Sequence, residues 1–331
     1  MKILVTGCFG FIGYNFLKVL LEESGNDFEV TGIDSLNNPY SKLNYDTFKK
    51  ANDFEFFHED ILNIEKINFK SFNFDAVINF AAESHVDTSI YNPNVFIESN
   101  VMGVNNLLKF CISNKINEFI QISTDEVYGS AQEQFFKETD KLNPSSPYSA
   151  SKASADMVCN SYAKTYGMKI KTIRPANNYG PYQQPEKLIP YSISNITKEN
   201  RVEIYGKGLN IRHWLYVKDT VSGIISVLTK GEPGEIYNIG SGVYLTNNEL
   251  SLSLLQKFDL DETSISYVVD RPGHDFRYSV NFDKLLNLGW KPRHRFEDAL
   301  EDTVDWYIKN EAWWKTDIQN IRDNRNKRLN K

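Results

Sequence analysis

The chain has 331 residues, of which 41% are hydrophobic and 24% are charged. This composition is ordinary for a soluble globular protein and allows one large domain, or two that pack together, around a sizeable core. The net charge of −6 argues against a nucleic-acid partner held by its phosphate backbone. The three cysteines are widely spaced and the five histidines are scattered, so the sequence predicts neither a disulfide framework nor a metal site.

The apolar stretches of the chain are too short to cross a bilayer. The few apolar residues before Gly7 are also too few for the core of a secretory signal. We therefore expect a cytoplasmic protein without a membrane partner.

Short β-rich runs alternate with helical patterns through the first half of the chain. Helical spacing covers 11–21, 95–111 and 150–166, and the predicted strands are 3–5, 28–33, 54–57, 76–80, 119–123 and 169–173. This alternation predicts an α/β fold with a doubly wound parallel sheet of the Rossmann type. Strands of such a sheet are buried on both faces, which explains why they are apolar runs.

After Arg174 the alternation breaks, because prolines and glycines crowd a short span. A strand and a helix return over 214–228, followed by a strand over 236–239. We expect the Rossmann domain to cover 1–174 plus about 211–240. A smaller α/β lobe is expected over 175–210 and 241–331, ending in a polar, basic tail at 315–331 that forms a frayed helix or a disordered end.

A glycine pattern, Gly7, Gly10 and Gly13, joins the first predicted strand to the first helix. In a dinucleotide site these glycines permit a tight turn, let the backbone approach a pyrophosphate and let the helix pack close to the strand. The helix N-terminus then offers free N–H groups to the anion. Asp34 ends the second strand, where a carboxylate binds a ribose 2′-hydroxyl and repels a 2′-phosphate. The pattern therefore predicts NAD as the cofactor rather than NADP.

Asp60, just after the third strand, has two interpretations at this stage. Its carboxylate could accept from the adenine amino group, or it could cap a helix. The remaining cofactor contacts that we predict are Phe9, Phe11, Ile12, Ile61, Ala81, Ala82, Tyr148 and Lys152.

Tyr148 and Lys152 are four residues apart and therefore lie on one face of a predicted helix. A nearby ammonium lowers the pKa of a phenol, so this tyrosine could act as a base near neutral pH. Taken alone, the pair is more typical of a surface tyrosine and a solvated lysine, and it gains weight here because it follows a nucleotide fingerprint in the same sheet. Thr124, Asp125 and Glu126 follow the fifth strand, at the edge where open α/β sheets bind ligands. Two adjacent carboxylates there suit acid and base work if their pKa values differ.

Together these motifs resemble the extended short-chain dehydrogenase/reductases and, within them, the dTDP-glucose 4,6-dehydratases. The triplet Thr124 to Glu126 is the most diagnostic feature, since related epimerases and decarboxylases usually have other residues there. Further stretches that carry the resemblance, which extends to about Pro292, are 81–87, 177–182, 185–190, 212–219 and 270–278.

The resemblance implies an NAD-dependent lyase that converts a nucleoside-diphosphate hexose to its 4-keto-6-deoxy form, for deoxysugar and surface-polysaccharide biosynthesis. Tyr148, assisted by Lys152 and Thr124, would take the proton of the C4 hydroxyl while hydride leaves C4 for the nicotinamide. Glu126 would then remove the C5 proton, and Asp125 would protonate the departing C6 hydroxyl. Hydride would finally return to C6.

The resemblance implies that the smaller lobe binds the sugar nucleotide. It also implies a homodimer, formed through the helix that carries Tyr148 and the neighbouring helix at 95–111. Arg212 and Arg271 are the best diphosphate partners, because a guanidinium pairs phosphate in a bidentate way. His274 could instead be a structural loop histidine. The remaining substrate contacts that the resemblance implies are Ser84, His85, Asn178, Lys187, Leu188, Asn247 and Tyr278.

Three alternatives stay open. The substrate could be UDP-glucose or another nucleoside-diphosphate hexose, because uracil and thymine differ by one methyl group. A 4-epimerase or decarboxylase could use the same scaffold, although an epimerase does not need Asp125 and Glu126. A catalytically silent NAD-binding protein is also conceivable, although Thr124, Tyr148 and Lys152 are all intact.

Five positions depart from the family pattern. Cys8 and Phe9 replace the usual glycine and small residue of the phosphate turn, so Phe9 must point away from the pyrophosphate or reshape that edge. Tyr14 stands where a small hydroxyl residue is common, Thr88 where arginine is frequent, and His213 where aspartate is usual.

Overall fold

The computed structural model describes residues 1–22, 27–51, 54–69, 73–315 and 318–329. The strands of the described chain are β1 (Lys2–Thr6), β2 (Glu29–Asp34), β3 (Glu55–His58), β4 (Ala76–Asn79), β5 (Glu118–Ile122), β6 (Lys169–Pro175), β7 (Asn177–Tyr179), β8 (Val202–Tyr205), β9 (Ile211–Tyr216), β10 (Ile236–Ile239), β11 (Val243–Thr246) and β12 (Ile265–Val268).

The helices are α1 (Phe11–Glu22), α2 (Pro39–Ala51), α3 (Val86–Tyr91), α4 (Asn94–Ile97), α5 (Gly103–Ser113), α6 (Pro147–Tyr166), α7 (Leu188–Glu199), α8 (Val217–Lys230), α9 (Asn247–Gln256), α10 (Asp283–Asn287), α11 (Phe296–Lys309), α12 (Glu311–Trp314) and α13 (Ile318–Leu329). Short 3₁₀ turns cover Ile61–Lys66, Asp125–Tyr128 and Glu262–Ser264, and a π turn covers Glu98–Met102.

Seven strands form one parallel sheet in the order β10-β6-β5-β4-β1-β2-β3. Successive residues of a strand face opposite sides, and both sides are covered. Ile3 and Val5 pack with α1 and α8, whereas Leu4 between them packs with α5 and α6. The predicted doubly wound Rossmann sheet is confirmed.

The smaller lobe has its own core around two short sheets. One sheet has the order β11-β9-β7, and the other pairs β12 with β8. Helices α7, α9 and α11 supply apolar side chains to this core, and Trp314 of α12 is 1% exposed within it.

The predicted lobe boundaries stay predictions, but the structure divides one predicted range between the two lobes. The sequence places 211–240 in the Rossmann domain. Its strand β9 pairs instead in the three-stranded sheet of the smaller lobe, whereas β10 joins the large sheet and α8 packs on it. Trp214 and Tyr216 therefore face one core while Leu215 faces the other.

The tail predicted as a frayed helix or disordered end contains α13. Residues 316–317 and 330–331 of this tail lie outside the described residues. No helix in the described ranges is both long and apolar enough to cross a membrane. Within the same ranges, no group of three or more His, Cys, Asp or Glu residues is arranged to hold a metal ion.

Candidate active site

Two glycines of the phosphate turn, Gly7 and Gly13, could not be replaced by any other residue without a shift of backbone. Gly7 has φ +65°, and a Cβ there would lie 2.5 Å from the amide nitrogen of Ala81. A Cβ on Gly13 would lie 2.3 Å from the Gly7 carbonyl oxygen. The backbone therefore approaches closely at both glycines, which places the first turn of α1 against the end of β1, as the fingerprint requires.

A cavity of about 550 Å³ opens above this turn, at the carboxyl ends of β1, β2 and β4. Of the predicted cofactor residues, its wall includes Gly7, Gly10, Asp34, Asp60, Ile61, Ala81 and Ala82. Asp34 is buried and accepts from the backbone N–H groups of Phe9 and Leu36, both at 2.9 Å. Burial raises the pKa of this carboxyl, and those two N–H groups oppose the shift. The volume of the cavity, the glycines in its wall and the Asp34 carboxylate all fit a bound dinucleotide.

Four further predicted cofactor residues belong to the turn behind this wall: Phe9, Phe11, Ile12 and Gly13. The Phe9 ring is completely buried and points away from the cavity, in edge contacts with four aromatic rings at 5.2 to 6.0 Å: Tyr45, Phe48, Phe54 and Phe56. Tyr14 packs beside it and against Tyr182, with ring centroids 4.8 Å apart. The bulky residues of this variant turn therefore extend the core and leave the cavity open.

Asp60 caps the 3₁₀ turn that follows β3. Its Oδ1 accepts from the backbone N–H of Leu62 at 2.9 Å, while the residue also lines the cavity. The capping interpretation is confirmed, and the adenine contact stays a prediction.

The structure brings the predicted catalytic residues together at the carboxyl end of β5 and the start of α6. Thr124, Asp125, Tyr148 and Lys152 are buried, and Glu126 is half-buried. A capping box between Ser146 and Ser149 starts α6, with Pro147 in its first turn. This well-defined start holds Tyr148 over the end of β5.

The pKa of Tyr148 differs from the sequence-based expectation. It is raised, chiefly by burial and by the carboxylate of Glu126, whereas a hydrogen bond with Thr124 opposes the rise. Lys152 does not lower it here, because its ammonium is engaged elsewhere. Lys152 Nζ donates to the Ile122 carbonyl at 2.6 Å and faces Asp156, while burial lowers the pKa of Lys152 to about 8.

The two adjacent carboxyls have different surroundings. Burial, and then Glu126, raises the pKa of Asp125 well above its usual range, and Asp125 Oδ2 is buried with no hydrogen-bond partner in the described part of the chain. Burial also raises the pKa of Glu126, but three cations oppose that rise: Arg271, Arg212 and Lys187. The environment thus favours the protonated form of Asp125 more strongly than that of Glu126, a difference in the direction that paired acid and base work needs.

A second cavity, of about 180 Å³, lies against Glu126 and shares His85, Asp87 and Glu186 with the first cavity. The predicted substrate residues in its wall are His85, Asn178, Lys187, Leu188, Arg212, Asn247, Arg271, His274 and Tyr278. Ser84 lines the first cavity instead, where its carbonyl accepts from Lys187 Nζ at 2.7 Å.

The cations of this cavity are held in place by protein oxygens. Arg271 Nη1 lies 3.1 Å from Asp87 Oδ1, and its buried Nε has no partner among the described residues. The Arg212 guanidinium donates to the Asp275 carbonyl at 3.0 Å and lies 4.4 Å from the centre of the Tyr278 ring. Fixed cations beside an open cavity suit a diphosphate.

Two predicted substrate residues have structural partners. The Asn178 amide donates to the Ala176 carbonyl at 2.8 Å and accepts from Thr220, so it organises the loop after β6. His274 Nδ1 pairs with Asp270 Oδ1 at 2.6 Å, and burial lowers the pKa of His274 to about 4. His274 therefore has a structural loop contact while it lines the cavity.

The departures at Thr88 and His213 also have local explanations. The Thr88 backbone N–H and hydroxyl both contact Nδ1 of His85, which caps α3. His213 Nε2 accepts from the N–H groups of Ser241 and Gly242, each at 2.9 Å. Burial lowers the pKa of His213 to about 3, so a neutral imidazole accepts the two bonds that a carboxylate could accept.

Two residues of the site were missed by the sequence analysis. Asp87 pairs with Arg271 and accepts from Tyr205, but nothing in the sequence shows that residues so far apart meet. Asn100 lies in the π turn and joins the loop after β4 to α6, through Glu83 at 2.8 and 3.0 Å and Ser151 at 2.8 Å. A π turn has no reliable sequence pattern, although such turns are frequent at functional sites.

The parallel sheet, the glycine turn and the Tyr148–Lys152 pair beside two carboxyls define a nucleotide-binding protein of the extended short-chain dehydrogenase/reductase type. Residues 4–303 match the sequence profile of the GDP-mannose 4,6 dehydratase family. The chain therefore belongs to this family, and the predicted resemblance is confirmed.

Individual proteins agree with this assignment. The low-salt glycan biosynthesis protein Agl12 of Haloferax volcanii is 42% identical over 93% of this chain and 99% of its own. A dTDP-glucose 4,6-dehydratase of Streptomyces antibioticus is 40% identical, with 95% of each chain covered. The crystal structure of DesIV, a dTDP-glucose 4,6-dehydratase from Streptomyces venezuelae with NAD bound, superposes with a TM-score of 0.90 at 41% identity, covering 95% of this chain and 99% of DesIV.

Proposed function

We propose that this protein is an NAD-dependent 4,6-dehydratase that converts dTDP-glucose to its 4-keto-6-deoxy form. The observation that carries the proposal is the pair Asp125 and Glu126, whose pKa values are separated by their surroundings beside the substrate cavity. The 4,6-dehydratases among the relatives support the reaction, and their dTDP-glucose supports the substrate.

NAD fits the first cavity through the glycine turn and the Asp34 carboxylate. When bound, it supplies reversible hydride acceptance and a positively charged nicotinamide ring. The residues that would hold it are those of the turn, Asp34, and the strand ends that line the cavity.

Tyr148 is the proposed base for the C4 hydroxyl. Because burial and Glu126 raise the pKa of its phenol, it needs a nearby positive charge before it can ionise. Thr124 hydrogen-bonds the phenol and orients it. Lys152, fixed by the Ile122 carbonyl, lies one helical turn away on the same face of α6.

Once C4 is a ketone, the C5 proton is acidic and the C6 hydroxyl can leave. Glu126 is the proposed base for the C5 proton, because the charges of Arg271, Arg212 and Lys187 stabilise its carboxylate against the effect of burial. Asp125, kept protonated by burial, is the proposed acid for the C6 hydroxyl. An epimerase requires neither residue, so this pair favours dehydration.

The test is an incubation of the purified protein with dTDP-glucose and, separately, with UDP-glucose, followed by mass spectrometry. We expect dTDP-glucose to lose one water without net accumulation of NADH, since the hydride returns to C6. Loss of water from UDP-glucose alone would correct the nucleobase. If neither sugar changes mass on protein that carries NAD, the glucose proposal fails.

We further propose a cytoplasmic homodimer. Exposed apolar side chains cluster on α4, the π turn and α6, where Ile97, Met102 and Met157 are 46%, 54% and 66% exposed. A second copy of the same face would cover them by two-fold symmetry. Free cysteines at all three positions, each buried, are consistent with a reducing compartment.

A further inference from the structure

Glu126 begins a chain of hydrogen-bonded oxygens that leads out of the substrate cavity. The Tyr278 hydroxyl lies 3.4 Å from Glu126 Oε2 and 2.7 Å from Asp275 Oδ2. The same Asp275 Oδ2 accepts from the Ser145 hydroxyl. Tyr278 is 3% exposed and Asp275 is 7% exposed, whereas Ser145 is an exposed residue just before α6.

We propose that Tyr278, Asp275 and Ser145 form a proton route that connects Glu126 with solvent during the reaction. The inference rests on the proposed function, because it concerns the C5 proton that Glu126 takes. The proposed route gives Asp275 and Ser145 a role in proton transfer. Tyr278 then carries protons in addition to lining the substrate cavity.

The geometry of the route is fixed from several sides. The Tyr278 ring lies against the Arg212 guanidinium, at 4.4 Å from its centre. The Asp275 carbonyl accepts from Arg212 and from the Asn210 amide at 3.0 and 3.1 Å. Tyr278 and Asp275 are therefore anchored to β9 and the loop before it, and only the 3.4 Å gap between the Tyr278 hydroxyl and Glu126 Oε2 has to shorten before a proton passes.

The proton balance closes over one cycle. Glu126 takes the C5 proton, and that proton passes to the Tyr278 oxygen while the proton of the phenol moves to Asp275. Asp275 then releases a proton to water at the Ser145 hydroxyl. The reverse sequence brings a solvent proton back to Glu126 for return to C5. One proton leaves and one enters, so no oxidant or reductant is required.

The route predicts that the hydrogen at C5 of the product comes from solvent. The experiment uses dTDP-glucose deuterated at C5, in ordinary water, with mass spectrometry of the product at early times. Wild-type protein is expected to release nearly all of the deuterium. Asp275→Asn and Tyr278→Phe cut the route at two links, so most of their product should retain deuterium, whatever their turnover rate.

Ser130→Ala is the matched control. The Ser130 hydroxyl accepts from the N–H groups of Phe276 and Arg277, so this variant loosens the same loop without touching the route. It should lose deuterium as wild type does. Retention in Ser130→Ala would attribute the effect to loop position and overturn the proposal.

Two further outcomes would also overturn it. Asp275→Asn and Tyr278→Phe products that lose deuterium as completely as wild type would show that Glu126 exchanges directly through the cavity. Deuterium fully retained by wild type would show that Glu126 has no connection to solvent. Failure of the proposed function is separate, since wild type would then form no dehydrated product at all.

Discussion

At the scale of single residues, burial and nearby cations give the two carboxyls of the site different pKa values. Asp125 is deeper and has an unpaired oxygen in the described structure, whereas Glu126 faces three cations. Adjacent residues in a 3₁₀ turn point in different directions, which allows such different surroundings one peptide apart. Acid and base can therefore come from one dipeptide.

The double variant Asp125→Asn, Glu126→Gln should separate oxidation from dehydration. We expect water loss to fall by roughly 10²- to 10⁴-fold, the usual range for positioned acid–base groups. Oxidation at C4 depends on Tyr148 and should continue, so NADH absorbance should accumulate on the protein. Dehydration at the wild-type rate, in a variant with a normal thermal transition, would contradict the assignment of these two residues.

The identity of these residues could be predicted from the sequence, because a carboxylate pair after a strand has a fixed place in an open α/β sheet. Their protonation could not, since it depends on Arg271 and Arg212, which are far away in the chain. The predicted lowering of the Tyr148 pKa is wrong, because burial and the carboxylate of Glu126 raise it. Spacing places Lys152 nearby, but only the fold shows that its ammonium bonds to Ile122.

At the scale of elements, α6 is the support of the catalytic tyrosine and lysine. Its N-terminus is defined by a reciprocal capping box, in which the Ser146 hydroxyl accepts from the Ser149 N–H at 3.1 Å and the Ser149 hydroxyl accepts from the Ser146 N–H at 3.0 Å. Tyr148 stands in the first turn that this box stabilises.

Ser146→Ala should therefore affect both stability and turnover. Loss of the cap should cost about 1 kcal/mol in the free energy of unfolding, measured by urea denaturation. Because fraying moves Tyr148 and not the diphosphate cations, kcat should fall more than KM rises. Ser154→Ala, the same change farther along α6, should leave the kcat unchanged, and an equal loss of kcat there would contradict the capping argument.

Element boundaries were predicted well where apolar runs end at glycine or aspartate, as β1 and β2 do. The helix predicted over 95–111 is instead α4, a π turn and α5. Helical spacing of apolar residues cannot reveal one extra residue in a turn, because the pattern resumes after it. Asn100, which lies in this π turn, is buried and hydrogen-bonds to Glu83 and Ser151.

At the scale of the whole molecule, the apolar face on α4, the π turn and α6 should determine the oligomeric state. Met157→Glu places two charges in a two-fold interface, one from each copy. We expect this substitution to weaken the free energy of dimerisation by at least about 2 kcal/mol, as for a residue that dominates an interface. Light scattering should then show a monomer at micromolar concentration. Ile308→Glu changes an equally apolar, 53% exposed residue of α11 and should remain dimeric. A dimeric Met157→Glu variant would exclude this face.

The ion pair between Asp87 and Arg271 joins positions 184 residues apart. Contacts of such long sequence separation form late, because the loop that they close is entropically costly. A growing polypeptide can complete the first strands of the large sheet while the partner of Asp87 is still unsynthesised. The glycine turn and the strand ends that line the dinucleotide cavity can therefore form before the cationic wall of the substrate cavity is complete.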